Sequence, residues 1–82
     1  MARTLVNGST ELEVVEHVML QNMWEYYITE TPDESGVGWA LVVGDVTEYG
    51  TIDQQAIDNY SISRTNKLDD LLPAPNWYWK NA

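Results

Sequence analysis

At 82 residues, 44% of them hydrophobic, the chain has material for one thin core and none for a large enzyme fold with a deep cavity. It has no cysteine, which removes disulfides, thiolate-bound zinc, iron–sulfur clusters and a cysteine nucleophile from consideration. Thirteen acidic residues against four basic ones give a net charge of -9, and Lys and Arg supply most phosphate contacts, so direct binding of nucleic acid or an anionic membrane is not expected.

Thr4-Leu5-Val6 followed by Asn7-Gly8 reads as a hairpin arm and its turn, because both central residues of a type I′ turn need positive φ. Two signals compete over residues 11–20. Leu12, Val14, Val18 and Leu20 alternate as in a strand, whereas Thr10 and Glu13 resemble a helix capping box; the β-branched Val14, Val15 and Val18 decide for a strand. Gln21-Asn22 then turns into a strand over 23–30, with Trp24, Tyr26 and Ile28 on one face and Met23, Glu25, Tyr27 and Thr29 on the other. Thr31 to Gly36 reads as a turn with Pro32 in second position, leading to a strand over 37–43 that is apolar on both faces and belongs inside a sheet. Gly44-Asp45 signals another two-residue hairpin, with 46–52 returning antiparallel. Asp53 caps a two-turn helix whose Ala56, Ile57 and Tyr60 form one stripe. The segment SISRTNKLDDLL has no clear period, Pro73 and Pro75 forbid a regular continuation, and the aromatic run Trp77-Tyr78-Trp79 reads as a segment, 73–82, that packs back on the sheet. The expected architecture is a single α+β domain over 1–82: a small antiparallel β-meander of four to five strands with one short helix packed on it.

The run W-E-Y-Y-I-T-E from Trp24, the run W-A-L-V-V-G from Trp39, T-E-Y-G-T-I-D from Thr47 and the short helix together resemble a family of small proteins known only as a domain of unknown function. Its members occur in bacteria, plasmids and phages. The family pattern is a Trp/Tyr-rich strand ending in Thr-Glu, a strand ending in Leu-Val-x-Gly, then Glu-x-Gly and a helix. The resemblance implies an α+β fold and a mobile-element setting, and it implies no catalytic residue.

A search for chemistry assigns no catalytic, cofactor-binding or metal-binding residue. His17 is the one histidine, and an acid–base pair would have to join it to Ser or to Glu13 or Glu16; it reads instead as an exposed histidine among carboxylates. Gly50 stands at the sixth place of a calcium-loop template beginning at Asp45, but Tyr49 and Ala56 occupy places that require oxygen ligands. Asp33-Glu34 and Asp69-Asp70 read as solvated loop charges. The start MARTLVNGST lacks the apolar stretch of a secretory signal, so a cytoplasmic location is expected.

The charge is unevenly placed: residues 4–63 contain no Lys or Arg, and eleven of the thirteen carboxylates lie between Glu11 and Asp58. Two readings stay open, acidity that serves solubility and acidity aimed at a basic surface. Trp24, Tyr26 and Trp39 are expected in the core, and Tyr27 and Tyr49 on a contact surface, where Tyr beside carboxylates suits Arg and Lys. The candidate partner-binding residues are Glu25, Tyr27, Asp45, Glu48, Tyr49 and Asp58. The expected function is a non-enzymatic acidic binding protein, phage or mobile-element encoded, that engages a basic site on a host protein and inhibits or redirects it. A DNA mimic is the alternative, should the carboxylates share one continuous face. A small structural or enzymatic module is the third.

Overall fold

A computed structural model describes residues 2–80. Strands β1 (Arg3–Asn7) and β2 (Thr10–Val14) form the first hairpin, with Asn7 paired to Thr10. The two-residue loop is therefore Gly8-Ser9, one residue later than Asn7-Gly8. Only Gly8 has positive φ there, +59°, which is the pattern of a turn with glycine at its first central position.

Residues 11–20 are extended, as expected, but not as one strand. Val15 breaks the run, and β3 (Glu16–Leu20) joins a different sheet from β2. The Val15 N–H donates to the Ile28 carbonyl at 2.8 Å, which anchors the crossing point. A continuous strand would put Leu12, Val14, Val18 and Leu20 on one face. The break sends Leu12 and Val14 to one hydrophobic cluster and Val18 and Leu20 to another.

The remaining strands are β4 (Glu25–Glu30), β5 (Val37–Val43), β6 (Thr47–Asp53), β7 (Ser61–Thr65) and the short β8 (Tyr78–Trp79). They build two antiparallel sheets, ordered β2-β1-β8 and β6-β5-β4-β3-β7, with helix α1 (Gln54–Tyr60) between β6 and β7. The fold is α+β, as the sequence predicts, and its larger sheet has five strands. The single meander is replaced by two sheets because β7, unpredicted from SISRT, adds beside β3, while β1 and β2 form a separate sheet with β8. Strands β4 and β5 are neighbours, and Asp53 caps α1 by accepting from the Gln55 N–H at 2.7 Å.

Two turns differ from expectation. The hydrogen-bonded turn before β5 is Asp33–Gly36, organised by the Asp33 carboxylate, which accepts from the Ser35 N–H and hydroxyl at 2.8 and 2.6 Å; Pro32 precedes it. Between β5 and β6 the loop is Gly44-Asp45-Val46, because Val43 pairs with Thr47. In the C-terminal segment, Pro75 and Asn76 (φ +70°) occupy the centre of a turn closed by the Trp77 N–H on the Ala74 carbonyl, the backbone pattern of a type II turn. That reversal lays β8 against β1.

The layers result from these pairings. Leu5, Val14, Tyr27, Leu41, Leu68 and Ala74 fill the space between the two sheets, with Trp77 and Trp79 against them. Val18, Leu20, Ile28, Ala40, Ile52 and Ile57 fill the space between the larger sheet and α1. Each fully buried Leu, Ile or Val contributes roughly 1.5–3 kcal/mol. Among the described residues no helix is long and apolar enough to cross a membrane.

Candidate functional site

Covering both faces of the larger sheet inverts part of the aromatic assignment. Tyr27, expected on a contact surface, is 1% exposed and central to the inter-sheet core. Trp39, expected in the core, is 39% exposed and stacks on Tyr49 with ring centroids 5.4 Å apart. The alternation of faces within each strand is the one the sequence predicts. The smaller sheet covers the part of that face holding Tyr27, Leu41 and Val43 and leaves Trp39 outside.

His17 is also inside, 4% exposed, in contrast to the exposed histidine expected. Its Nε2 donates to Glu25 Oε1 at 3.0 Å, and its ring meets Tyr27 edge-on at 4.8 Å. The Tyr27 hydroxyl donates to the Leu72 carbonyl at 3.0 Å and lies 3.5 Å from Glu25 Oε1. Burial, then the charge of Glu25 and the hydrogen bond to it, push the Tyr27 phenol far above its ordinary range. These three side chains hold one another and the C-terminal segment in place. Glu13, the partner considered for His17 from sequence, lies beyond the Val15 break in the other sheet.

The outward-facing chemistry gathers along β5 and β6. On the helix side of the sheet, Tyr26, Val42 and Glu48 lie side by side across β4, β5 and β6. With Trp24, Asp45, Val46, Gly50 and Thr51 they line an open groove of ≈ 560 Å³. Trp24 is seated over Gly44, where a Cβ would sit 2.5 Å from the indole and displace it. The floor is thus aromatic and the rim carries two carboxylates, a combination that attracts cationic side chains. On the opposite face a second groove of ≈ 370 Å³ runs between β6, the first hairpin and the C-terminal turn, lined by Leu12, Leu41, Glu48, Tyr49 and Trp77 among others. The Tyr49 hydroxyl is fixed by Thr29 Oγ1 at 2.7 Å.

Charge separates the β6 side of the sheet from the rest. Arg3 pairs with Asp69, Arg64 with Glu16 and Asp58, and Lys80 with Glu11. None of these cations lies on β4, β5 or β6, and among the described residues Glu30, Asp45 and Glu48 form no ion pair.

Of the six candidate partner-binding residues, the structure brings together Asp45 and Glu48 in one groove and places Glu48 and Tyr49 along the other. Glu25 is half-buried against His17, Tyr27 is enclosed, and Asp58 is on α1, bonded to Gln54 and paired with Arg64. Sequence reasoning missed Trp24 and Tyr26 as groove residues because it placed both in the core. A glycine inside a strand was the available signal for Gly50, since it marks a site where something approaches closely. Comparisons with protein-family models, curated proteins and solved structures returned no match.

Proposed function

We propose that this chain is a non-enzymatic acidic binding protein that engages a basic surface of another protein through the β5–β6 side of its larger sheet. The observation that carries this reading is the groove of Trp24, Tyr26, Asp45 and Glu48, aromatic at its base, acidic at its rim and without a cation of its own. The four basic residues sit elsewhere, and three of them are already paired, so the β6 side keeps its negative field. A mobile-element origin, with a host protein as the target to be inhibited or redirected, is the biological setting we propose for it.

The test is capture of partners from a lysate on immobilised protein, followed by measurement of the association rate of the captured partner between ~0.05 and ~0.5 M salt. Steering by the acidic side predicts an on-rate that falls steeply with salt while the off-rate changes little. An association indifferent to salt contradicts the reading. Competition by duplex DNA for the same partner would replace it with the DNA-mimic alternative.

A further inference from the structure

A partner drawn to this side must also be held there, and β6 offers a specific means. It is an edge strand of the larger sheet, seven residues long, with no irregularity in its pairing to β5. The Gly44 N–H donates to the Val46 carbonyl at one end of this pair, and the Gln54 N–H donates to the Gly36 carbonyl at the other. Antiparallel ladders alternate, so between these ends Glu48, Gly50 and Ile52 exchange hydrogen bonds with β5. The N–H and C=O groups of Thr47, Tyr49 and Thr51 therefore point away from the sheet, along its open edge.

The two grooves lie on opposite faces of this same strand. A strand added alongside β6 would direct alternate side chains to alternate faces. One set would run beside Glu48 and across Gly50, where even a Cβ would meet nothing within 4 Å, toward Tyr26 and Trp24. The other set would lie against Tyr49.

We infer that β6 is a strand-addition site whose occupant is an extended segment of the partner carrying Lys or Arg at alternate positions. Backbone pairing supplies the attachment and the Asp45–Glu48 rim selects the charge. A second copy of this chain is the wrong occupant electrostatically, since each copy carries a net charge of -9. The inference rests on the proposed function and adds to it the mode of engagement.

Three capped octapeptides test it: (Lys-Val)4, (Glu-Val)4, and (Lys-Val)4 with alternate backbone nitrogens methylated so that charge is kept and the pairing edge is lost. Titrated into the isotopically labelled full chain, (Lys-Val)4 is expected to slow exchange of the Thr47, Tyr49 and Thr51 amides by about tenfold or more. The glutamate peptide is expected to leave them unchanged, and the methylated one to bind at least about tenfold more weakly. Two variants keep the result interpretable. Thr51→Pro removes a donor that points out of the sheet, a position where an edge strand tolerates proline. Gly50→Leu fills the groove from a position with open space above it. Both are expected to fold, shown by a dispersed amide spectrum, and to lose (Lys-Val)4.

Equal binding of the methylated and unmethylated basic peptides would overturn strand addition while sustaining the acidic binding reading. Failure of both basic peptides would remove both. Protection of the β6 amides by self-association at raised protein concentration, with no peptide present, would make the occupant a second copy and overturn the inference.

Discussion

Replacing Tyr27 by Ala and Trp39 by Ala in parallel measures whether the larger sheet is covered on both faces. Tyr27 is 1% exposed, packed between the sheets, with its hydroxyl on the Leu72 carbonyl. Removing a buried aromatic side chain costs about 3–5 kcal/mol. A chain of this size has a total stability of roughly 4–12 kcal/mol at the usual ~0.05–0.15 kcal/mol per residue, so Tyr27→Ala consumes a large share of it. Trp39 is 39% exposed, and its main specific contact is the stack on Tyr49. Losing such a stack, about 0.5–1.5 kcal/mol, together with part of the ring's burial gives about 1–2 kcal/mol. At ~4–8 °C per kcal/mol, Trp39→Ala is expected to lower the melting temperature by roughly 5–15 °C, and Tyr27→Ala to lower it by at least twice that or leave the chain unfolded. Thermal and urea unfolding followed by far-UV circular dichroism reads both. Equal losses, or a larger loss for Trp39→Ala, would refute the two-layer packing.

His17→Ala removes the 3.0 Å hydrogen bond to Glu25 and the edge-on neighbour of Tyr27, so a loss of about 1–3 kcal/mol is expected in urea unfolding. Tyr27 carries a raised pKa because the folded state favours the neutral phenol, so its contribution is intact below the ordinary tyrosine value of 10.0 and is lost as pH rises above it. The slope is about 1.4 kcal/mol per pH unit, and the urea midpoint of Tyr27→Phe should lack that part of the alkaline decline. Met23 is exposed and has φ +70°, a region that strains any residue with a Cβ; Met23→Gly should gain about 0.5–1 kcal/mol in the same assay.

Local chemistry carried much of the fold in the sequence. The Asp53 cap, β5 and the antiparallel β4–β5 pairing arise from side-chain types within a few residues of one another. What was illegible depends on distant coverage. Val15 looks like one more β-branched residue, and nothing local says that the chain changes sheets there. Without that break His17 reads as exposed and no smaller sheet covers Tyr27, and nothing local gives the register that pairs Tyr27 with Leu41 and so puts Trp39 on the face of Tyr27, beyond the part that the smaller sheet covers. The acidic groove was half legible for the same reason. Asp45 and Glu48 stand out by charge, whereas Trp24 and Tyr26 line the groove because α1 leaves that part of the sheet uncovered, a consequence of tertiary placement.

The central claim is that the β5–β6 side is where a basic partner engages. Its most direct test is the affinity of the captured partner for the double variant Asp45→Lys/Glu48→Lys against that for Glu13→Lys, an exposed carboxylate of β2 in the other sheet. Reversing two rim charges that face a basic surface is expected to weaken binding by about tenfold or more at low salt, with Glu13→Lys near the parent value and both variants melting like the parent. Equal affinity for the parent and the double variant, or an equal loss in Glu13→Lys, would contradict the account.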